Sequence, residues 1–325
     1  MAISRRTFIE TAALGGAASA ALAATVDKKT GMPMRTLGRT GAQVSIIGLG
    51  CGSRLLMYKD EDKALEAGEK ALAMGINYFD SAQGYGNGTS EKWVGKILKG
   101  RRKGAWVVTK IQKRKADEAL RMMDESLKNL QTDHVDLAHI HALAGADDVA
   151  AIEAKGGLLE AMYKIRDQKM ARFIGVTSHT DPVALKTLLE RHDFDCTQMA
   201  LNVALVGMRN GQGGMEINPE MKDSFEKIAL PVALKKKMGV TAMKIFAQGP
   251  LVGKAPTEKL IRYALTLPVT AAILGMPKLD YISENAAVAK AFKPLPKSEM
   301  QSLGDELSKA HKASLDRFFR DHIDA

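Results

Sequence analysis

In the stretch Gly75-Ile76-Asn77-Tyr78-Phe79-Asp80-Ser81-Ala82-Gln83-Gly84-Tyr85-Gly86 a short apolar run ends in a carboxylate and turns through glycines to a phenol. If the run is a strand, Asp80 stands at its carboxyl tip and Tyr85 in the loop beyond. Barrel and open-sheet enzymes keep their reacting groups at that place. Two later apolar runs end in the same manner, Ala105-Trp106-Val107-Val108-Thr109-Lys110 in an amine and Val135-Asp136-Leu137-Ala138-His139-Ile140-His141 in an imidazole. Each residue taken singly also has a plain structural reading: a turn tyrosine, a capping aspartate, a core histidine, or a buried Asp-Lys pair that braces a barrel mouth.

The elements that would position these groups alternate along the chain. Residues 34–37 and 44–47 flank the polar Gly38-Arg39-Thr40-Gly41 and read as a hairpin. Strands are expected at residues 46–52, 77–82, 105–110, 135–141, 172–179, 196–202, 239–246 and 271–276. Helical spacing fills the intervals at 62–74, 90–98, 116–130, 157–168, 182–190, 225–238 (breakable at Pro231), 257–267 and 280–290. Residues 142–156 and the Gly- and Met-rich 207–221 read as long loops, and 298–318 as an added terminal helix. Eight strand-helix units predict an α/β chain, a closed (β/α)8 TIM barrel with an N-terminal β-hairpin and an added C-terminal helix. In that geometry Asp80, Tyr85, Lys110 and His141 converge at one rim from three consecutive strands. His139 shares the inward parity of His141 and reads as a barrel-layer residue. The glycines of Gly48-Leu49-Gly50-Cys51-Gly52 are a weak dinucleotide fingerprint, because Ser53 stands where a third glycine is needed and no acidic strand end follows about twenty residues on.

The formal charge of the 325-residue chain is +10, or +9 without Arg5, Arg6 and Glu10. The cations lie in short clusters beside helices, with no basic stripe interleaved with aromatics, so nucleic acid is not expected as a partner. Ser4-Arg5-Arg6-Thr7-Phe8-Ile9, an Ala/Gly-rich run and Ala21-Leu22-Ala23 together read as a twin-arginine signal peptide over residues 1–24, with the barrel over 34–325. The twin-arginine export machinery would then be a partner and the periplasm or another exported compartment the destination. The run is too short and weakly apolar for a stable membrane span. Cys51 and Cys196, the two cysteines, are expected as buried small side chains on nearly opposite strands rather than as a disulfide.

With those residues in place the chain resembles the aldo-keto reductase family from about Met34 to about Leu295. The resemblance rests on Gly75-x-x-x-Phe79-Asp80-x-Ala82-x-x-Tyr85-Gly86 with Ser90-Glu91 and Gly95, on Val108-Thr109-Lys110 and on Asp136-Leu137-x-x-Ile140-His141. It continues in Ile174-Gly175-Val176-Thr177-Ser178, in Gln198 with Asn202, and in Gly275 with Glu284-Asn285. It implies an oxidoreductase that uses NADP(H), with NAD(H) possible, to reduce an aldehyde or ketone. A carbonyl that accepts hydride develops negative charge on oxygen and needs a proton donor there. The resemblance assigns that role to Tyr85, with Lys110 favouring the ionised phenol, Asp80 holding the ammonium, and His141 orienting the carbonyl.

The same resemblance implies cofactor contacts from Thr177, Ser178, Gln198, Met243, Lys244, Gly275, Lys278, Glu284 and Asn285. Ser178 stands where Asn is common, Met243 where an aromatic commonly stacks on the nicotinamide, and Lys244 where many members have a small residue. Lys278 is the one residue after strand eight that could hold a 2'-phosphate. These departures motivate an alternative, a nucleotide-binding regulatory barrel with little turnover. A metal-dependent hydrolase is disfavoured by strand tips without repeated His and carboxylate ligands.

Overall fold

The computed structural model describes residues 24–211, 214–218, 221 and 223–307. At its amino end β1 (Thr25–Val26), β2 (Pro33–Thr36) and β3 (Gln43–Ser45) form an antiparallel sheet, one strand more than the expected hairpin. The parallel strands β4 (Ile47–Gly50), β5 (Tyr78–Asp80), β6 (Trp106–Ile111), β7 (Val135–Ile140), β8 (Ala171–Ser178) and β9 (Cys196–Ala200) follow. After the antiparallel pair β10 (Met208–Gly211) and β11 (Gly214–Ile217) come β12 (Gly239–Met243) and β13 (Ala271–Leu274), which close the eight-stranded barrel against β9 and β4. The signal-peptide reading of residues 1–24 lies almost wholly outside the described residues. The terminal helix is described over residues 297–307.

The strands are buried on both faces, as parallel barrel strands must be; every residue of β6 and β7 is buried. Some of the outer helices begin at side-chain caps. Asp60 accepts from the N–H of Lys63 to open Glu61–Ala73. Asp181 accepts from Val183 and Ala184 to open Pro182–Arg191, whose proline sits in the first turn where no N–H is missed. Helix 225–238 is divided, as expected, into Phe225–Ile228 and Leu230–Lys235, with Pro231 early in the second piece.

Two segments read as loops are structured. Residues 142–156 contain the helix Ala146–Glu153, which buries only Val149 and Ile152 and has no side-chain cap, so its apolar signal is faint. Residues 207–221 contain β10 and β11, paired from Met208↔Ile217 to Gly211↔Gly214, with Arg209 Nε 2.6 Å from Glu216 Oε1.

Inside the barrel, side chains two residues apart share a direction. Tyr78, Trp106, Val108, Leu137, Cys196, Ala271 and Ile273 form one buried cluster with Leu37 and Val44 from the N-terminal sheet. That sheet therefore plugs the amino end of the barrel, each plugging side chain contributing about 1.5–3 kcal/mol by leaving water. Continuing the same inward rows by two residues reaches Asp80, Lys110, His139 and Gln198. The packing that seals one end thus fixes which side chains face the other. Cys51 and Cys196 are both buried and free, and burial pushes both thiols up.

Candidate active site

Asp80 is the last residue of β5, Lys110 lies one residue before the end of β6, and His141 follows β7 with its N–H bonded to the Ile111 carbonyl at 2.9 Å. Lys110 Nζ donates to Asp80 Oδ2 at 2.9 Å and to the Ser81 carbonyl at 2.8 Å, and lies 3.4 Å from Tyr85 Oη. The same ammonium is 5.0 Å from the centroid of the Tyr85 ring. The imidazole of His141 meets that ring edge-on, at 5.6 Å between centroids and 82° between planes. The four residues that the sequence brings to one rim are thus in mutual reach, and all four line one cleft of about 920 Å³.

Burial is the largest influence on Tyr85 and pushes its phenol above the ordinary value. Lys110 pulls the other way without reversing the shift, and Asp80 adds to the rise. The expectation that Lys110 favours the ionised phenol describes its own influence correctly, but the net result is a phenol that keeps its proton at neutral pH. Burial also works to discharge Lys110, yet Asp80, helped by Tyr85, holds the ammonium above the ordinary lysine value. Burial, followed by the cations of Lys110 and Arg114 and by His179, holds His141 well below 6.5, so its imidazole is neutral. A neutral ring offers one N–H donor without bringing a competing charge. His139 is fully buried on the same inward row and stays in the layer beneath.

The Ser90-Glu91 and Gly95 positions of the motif brace this rim from behind. Ser90 Oγ bonds the Cys51 carbonyl at 2.6 Å and meets Ser81 Oγ at 2.7 Å. Buried Glu91 accepts from Thr109 Oγ1 and from Asn129 Nδ2 at 3.0 Å. A Cβ on Gly95 would come 2.7 Å from the Leu130 carbonyl oxygen, so only glycine lets those two helices approach. Asp136, read with the β7 motif, binds Arg102 and Arg172 at 2.8 and 2.7 Å on the outward row and does not face the cleft.

Of the residues expected to hold a cofactor, Thr177, Gln198, Met243, Lys244, Gly275, Glu284 and Asn285 line the cleft. Gln198 is 1% exposed, and neither amide atom has a partner. Such an orphaned pair is costly unless a ligand satisfies it, and a carboxamide presents the complementary donor and acceptor. The residues present therefore fit a nicotinamide.

Ser178 and Lys278 do not line the cleft. On β8 the inward residues are Gly175 and Thr177, so Ser178 has outward parity, and its hydroxyl donates to the Leu143 carbonyl at 2.7 Å. His179, the next residue of inward parity, lines the cleft instead; counting by two from Thr177 would have found it. Lys278 lies over the Tyr281 ring, 5.7 Å from its centroid. No residue pattern points to Arg54, which reaches the cleft from the helix Ser53–Leu56 by packing its stem on Gly275, or to Arg114, which ties Asp148 to the His141 carbonyl.

A model of the aldo/keto reductase family matches residues 47–260. L-galactose dehydrogenase of Arabidopsis thaliana is 27% identical over 305 residues, 85% of this chain and 91% of that protein. The solved aldo-keto reductase AKR11C1 from Bacillus halodurans, in its holo form, superposes with a TM-score of 0.68 at 24% identity, covering 86% of this chain and 97% of its own. The aldo/keto reductase from Klebsiella pneumoniae, solved in complex with NADP and acetate, gives 0.64 at 21% identity over 87% of this chain and 96% of its own.

Proposed function

We propose, for a chain that belongs to the aldo/keto reductase family of NAD(P)H-dependent carbonyl oxidoreductases, that Tyr85, Lys110, Asp80 and His141 reduce an aldehyde or ketone to the alcohol at the tips of β5 to β7. The observation that carries the roles is the buried Lys110 ammonium in reach of both Asp80 and Tyr85. NADPH, or NADH in its place, would supply the hydride when bound in the cleft. His141 donates a hydrogen bond to the carbonyl oxygen and fixes its direction. As negative charge grows on that oxygen, the Tyr85 O–H bond breaks and its proton moves to the oxygen. The phenolate left behind is stabilised by Lys110, whose charge Asp80 keeps in place, until solvent returns the proton.

Gln198 would hold the carboxamide, and Met243 would cover the ring by dispersion. Thr177, whose Oγ1 accepts from the Ala142 N–H at 2.8 Å, shapes that end of the site. Glu284 and Asn285 would meet the adenosine. A complete acid-base rim is arranged for turnover, which a barrel that merely stores a nucleotide does not need. Purified mature protein should oxidise NADPH against a panel of carbonyls. A Tyr85→Phe variant that turned over at the wild-type rate would refute the assignment.

We also read residues 1–24 as a twin-arginine leader, on the strength of Arg5-Arg6 and the small-residue run that ends at Ala23. That pathway carries folded proteins, which suits a chain that takes up a dinucleotide before export. Changing Arg5 and Arg6 together to Lys should retain the protein in the cytoplasm; unaltered export of that variant would exclude the reading.

A further inference from the structure

Resting on the oxidoreductase reading, we propose that Lys244 and Arg54 clamp the diphosphate of the nicotinamide dinucleotide, each exchanging its present hold on Gln248 for a phosphate oxygen. Lys244 Nζ donates to Gln248 Oε1 at 2.9 Å, and Arg54 Nη2 donates to the Gln248 carbonyl at 2.8 Å. Two cations thus converge on one uncharged residue inside the cleft, and among the described residues neither forms an ion pair. Asp80, the carboxylate that acts on Lys244, is already bound to Lys110. Cations held in this way lack a counter-charge, and a dianion would supply it.

Their position along the cleft selects the diphosphate. Lys244 directly follows Met243 and lies past Gln198, at the nicotinamide end. The stem of Arg54 lies on Gly275, where a Cβ would come 2.5 Å from Arg54 Cγ, at the start of the turn that leads to Glu284 and Asn285. A dinucleotide spanning those two ends carries its diphosphate between them, and its two negative charges equal the two positive ones.

The backbone of Lys244 adds a second argument. Met243 has inward parity, so Lys244 on a regular strand would face out; its φ of 58° turns it into the left-handed region. Backbone strain of this kind persists only where the surroundings hold it, and at Lys244 it accompanies an amine that lines the cleft. Burial, with Lys110 and Arg54 nearby, also draws the amine down to about 8 in the free protein, so the present arrangement is unfavourable to its charge.

The test is calorimetric binding of NADP+, NAD+ and 2'-AMP to the wild type and to Lys244→Met, Lys244→Arg and Arg54→Gln. The methionine and glutamine variants are expected to bind NADP+ and NAD+ more weakly by a similar factor, on the order of 10-fold each, with Lys244→Arg restoring most of the loss. Binding of 2'-AMP, which has no diphosphate, should be unchanged. Unaltered dinucleotide affinity would overturn the clamp while leaving the reductase reading intact. Loss confined to NADP+ and 2'-AMP would assign the pair to the 2'-phosphate, and a raised KM for glyceraldehyde 3-phosphate with normal dinucleotide affinity would assign it to substrate. A wild type that binds neither dinucleotide would refute both readings. Lys244→Gly, which accepts the same φ, should melt at a higher temperature than the free wild-type protein yet bind NADP+ more weakly; lower melting would mark Lys244 as structural and overturn the proposal.

Discussion

Lys110 Nζ lies 2.9 Å from Asp80 Oδ2 and 3.4 Å from Tyr85 Oη, so one buried ammonium joins a carboxylate to the phenol at the mouth of the cleft. The pair is nearly sealed from water, Lys110 being 1% exposed. Its charges therefore act on the phenol with little screening.

Replacing Tyr85 by Phe removes the proposed proton donor and little volume. The expected loss in kcat is about 10²- to 10⁴-fold, with the dissociation constant for NADPH within about twofold of wild type. Steady-state kinetics alongside fluorescence titration of the cofactor will separate the two.

The Asp80-Lys110 pair bears on stability as well as chemistry. Asp80→Ala leaves a buried ammonium without its carboxylate and should cost about 3–5 kcal/mol in urea unfolding. The double variant Asp80→Leu with Lys110→Met should recover much of that stability and none of the activity. A double variant as unstable as the single one would show that the pair is not the source of the loss.

The pH profile follows from the directions of the shifts. His141 sits well below 6.5, so the reductive kcat/KM should show no inflection between about pH 5.5 and 8 from this residue. Tyr85 is shifted upward and in the proposed role must be protonated to act, so its contribution to activity should be lost only above about pH 10 in the free enzyme. A histidine-like break near 6.5 that disappears in His141→Gln would contradict the neutral-imidazole assignment.

Arg114 Nη2 donates to the His141 carbonyl at 2.9 Å while Nε and Nη2 hold Asp148 at 2.6 and 2.8 Å. In the proposed mechanism it is a positioning residue for the imidazole of His141. Arg114→Ala should lower kcat about 10-fold with a smaller change in KM, and Arg114→Lys should restore only part because it lacks the bidentate fork.

Lys244 gives the free protein a stability signature of definite sign. Its folded-state value is drawn down from 10.5 to about 8, so between those values the unfolded chain binds more protons and stability rises with pH. The wild type should therefore gain on Lys244→Met as pH climbs from about 8 towards 10.5. Denaturant midpoints at three pH values suffice, and parallel curves would rule out the shifted amine.

Much of this molecule could be read from the order of its residues. Period-two apolar runs alternating with helical spacing predict eight strand-helix units, and the parity of those runs places Asp80, Lys110, His139 and His141 on inward rows before any coordinate is known. Parity also contains the exchange of Ser178 for His179, since only one of two adjacent strand residues can face the barrel axis. Other features belong to the tertiary structure alone. Arg54 enters the cleft because Gly275, remote in sequence, leaves room for its stem. Lys244 faces inward because its backbone departs from strand geometry, and Arg114 supports His141 through a carbonyl that no side-chain pattern records. The net protonation of Tyr85 was likewise decided by folding. Neighbour types reveal the pull of Lys110, but the larger opposing push comes from burial, which exists only once the barrel has closed around the phenol.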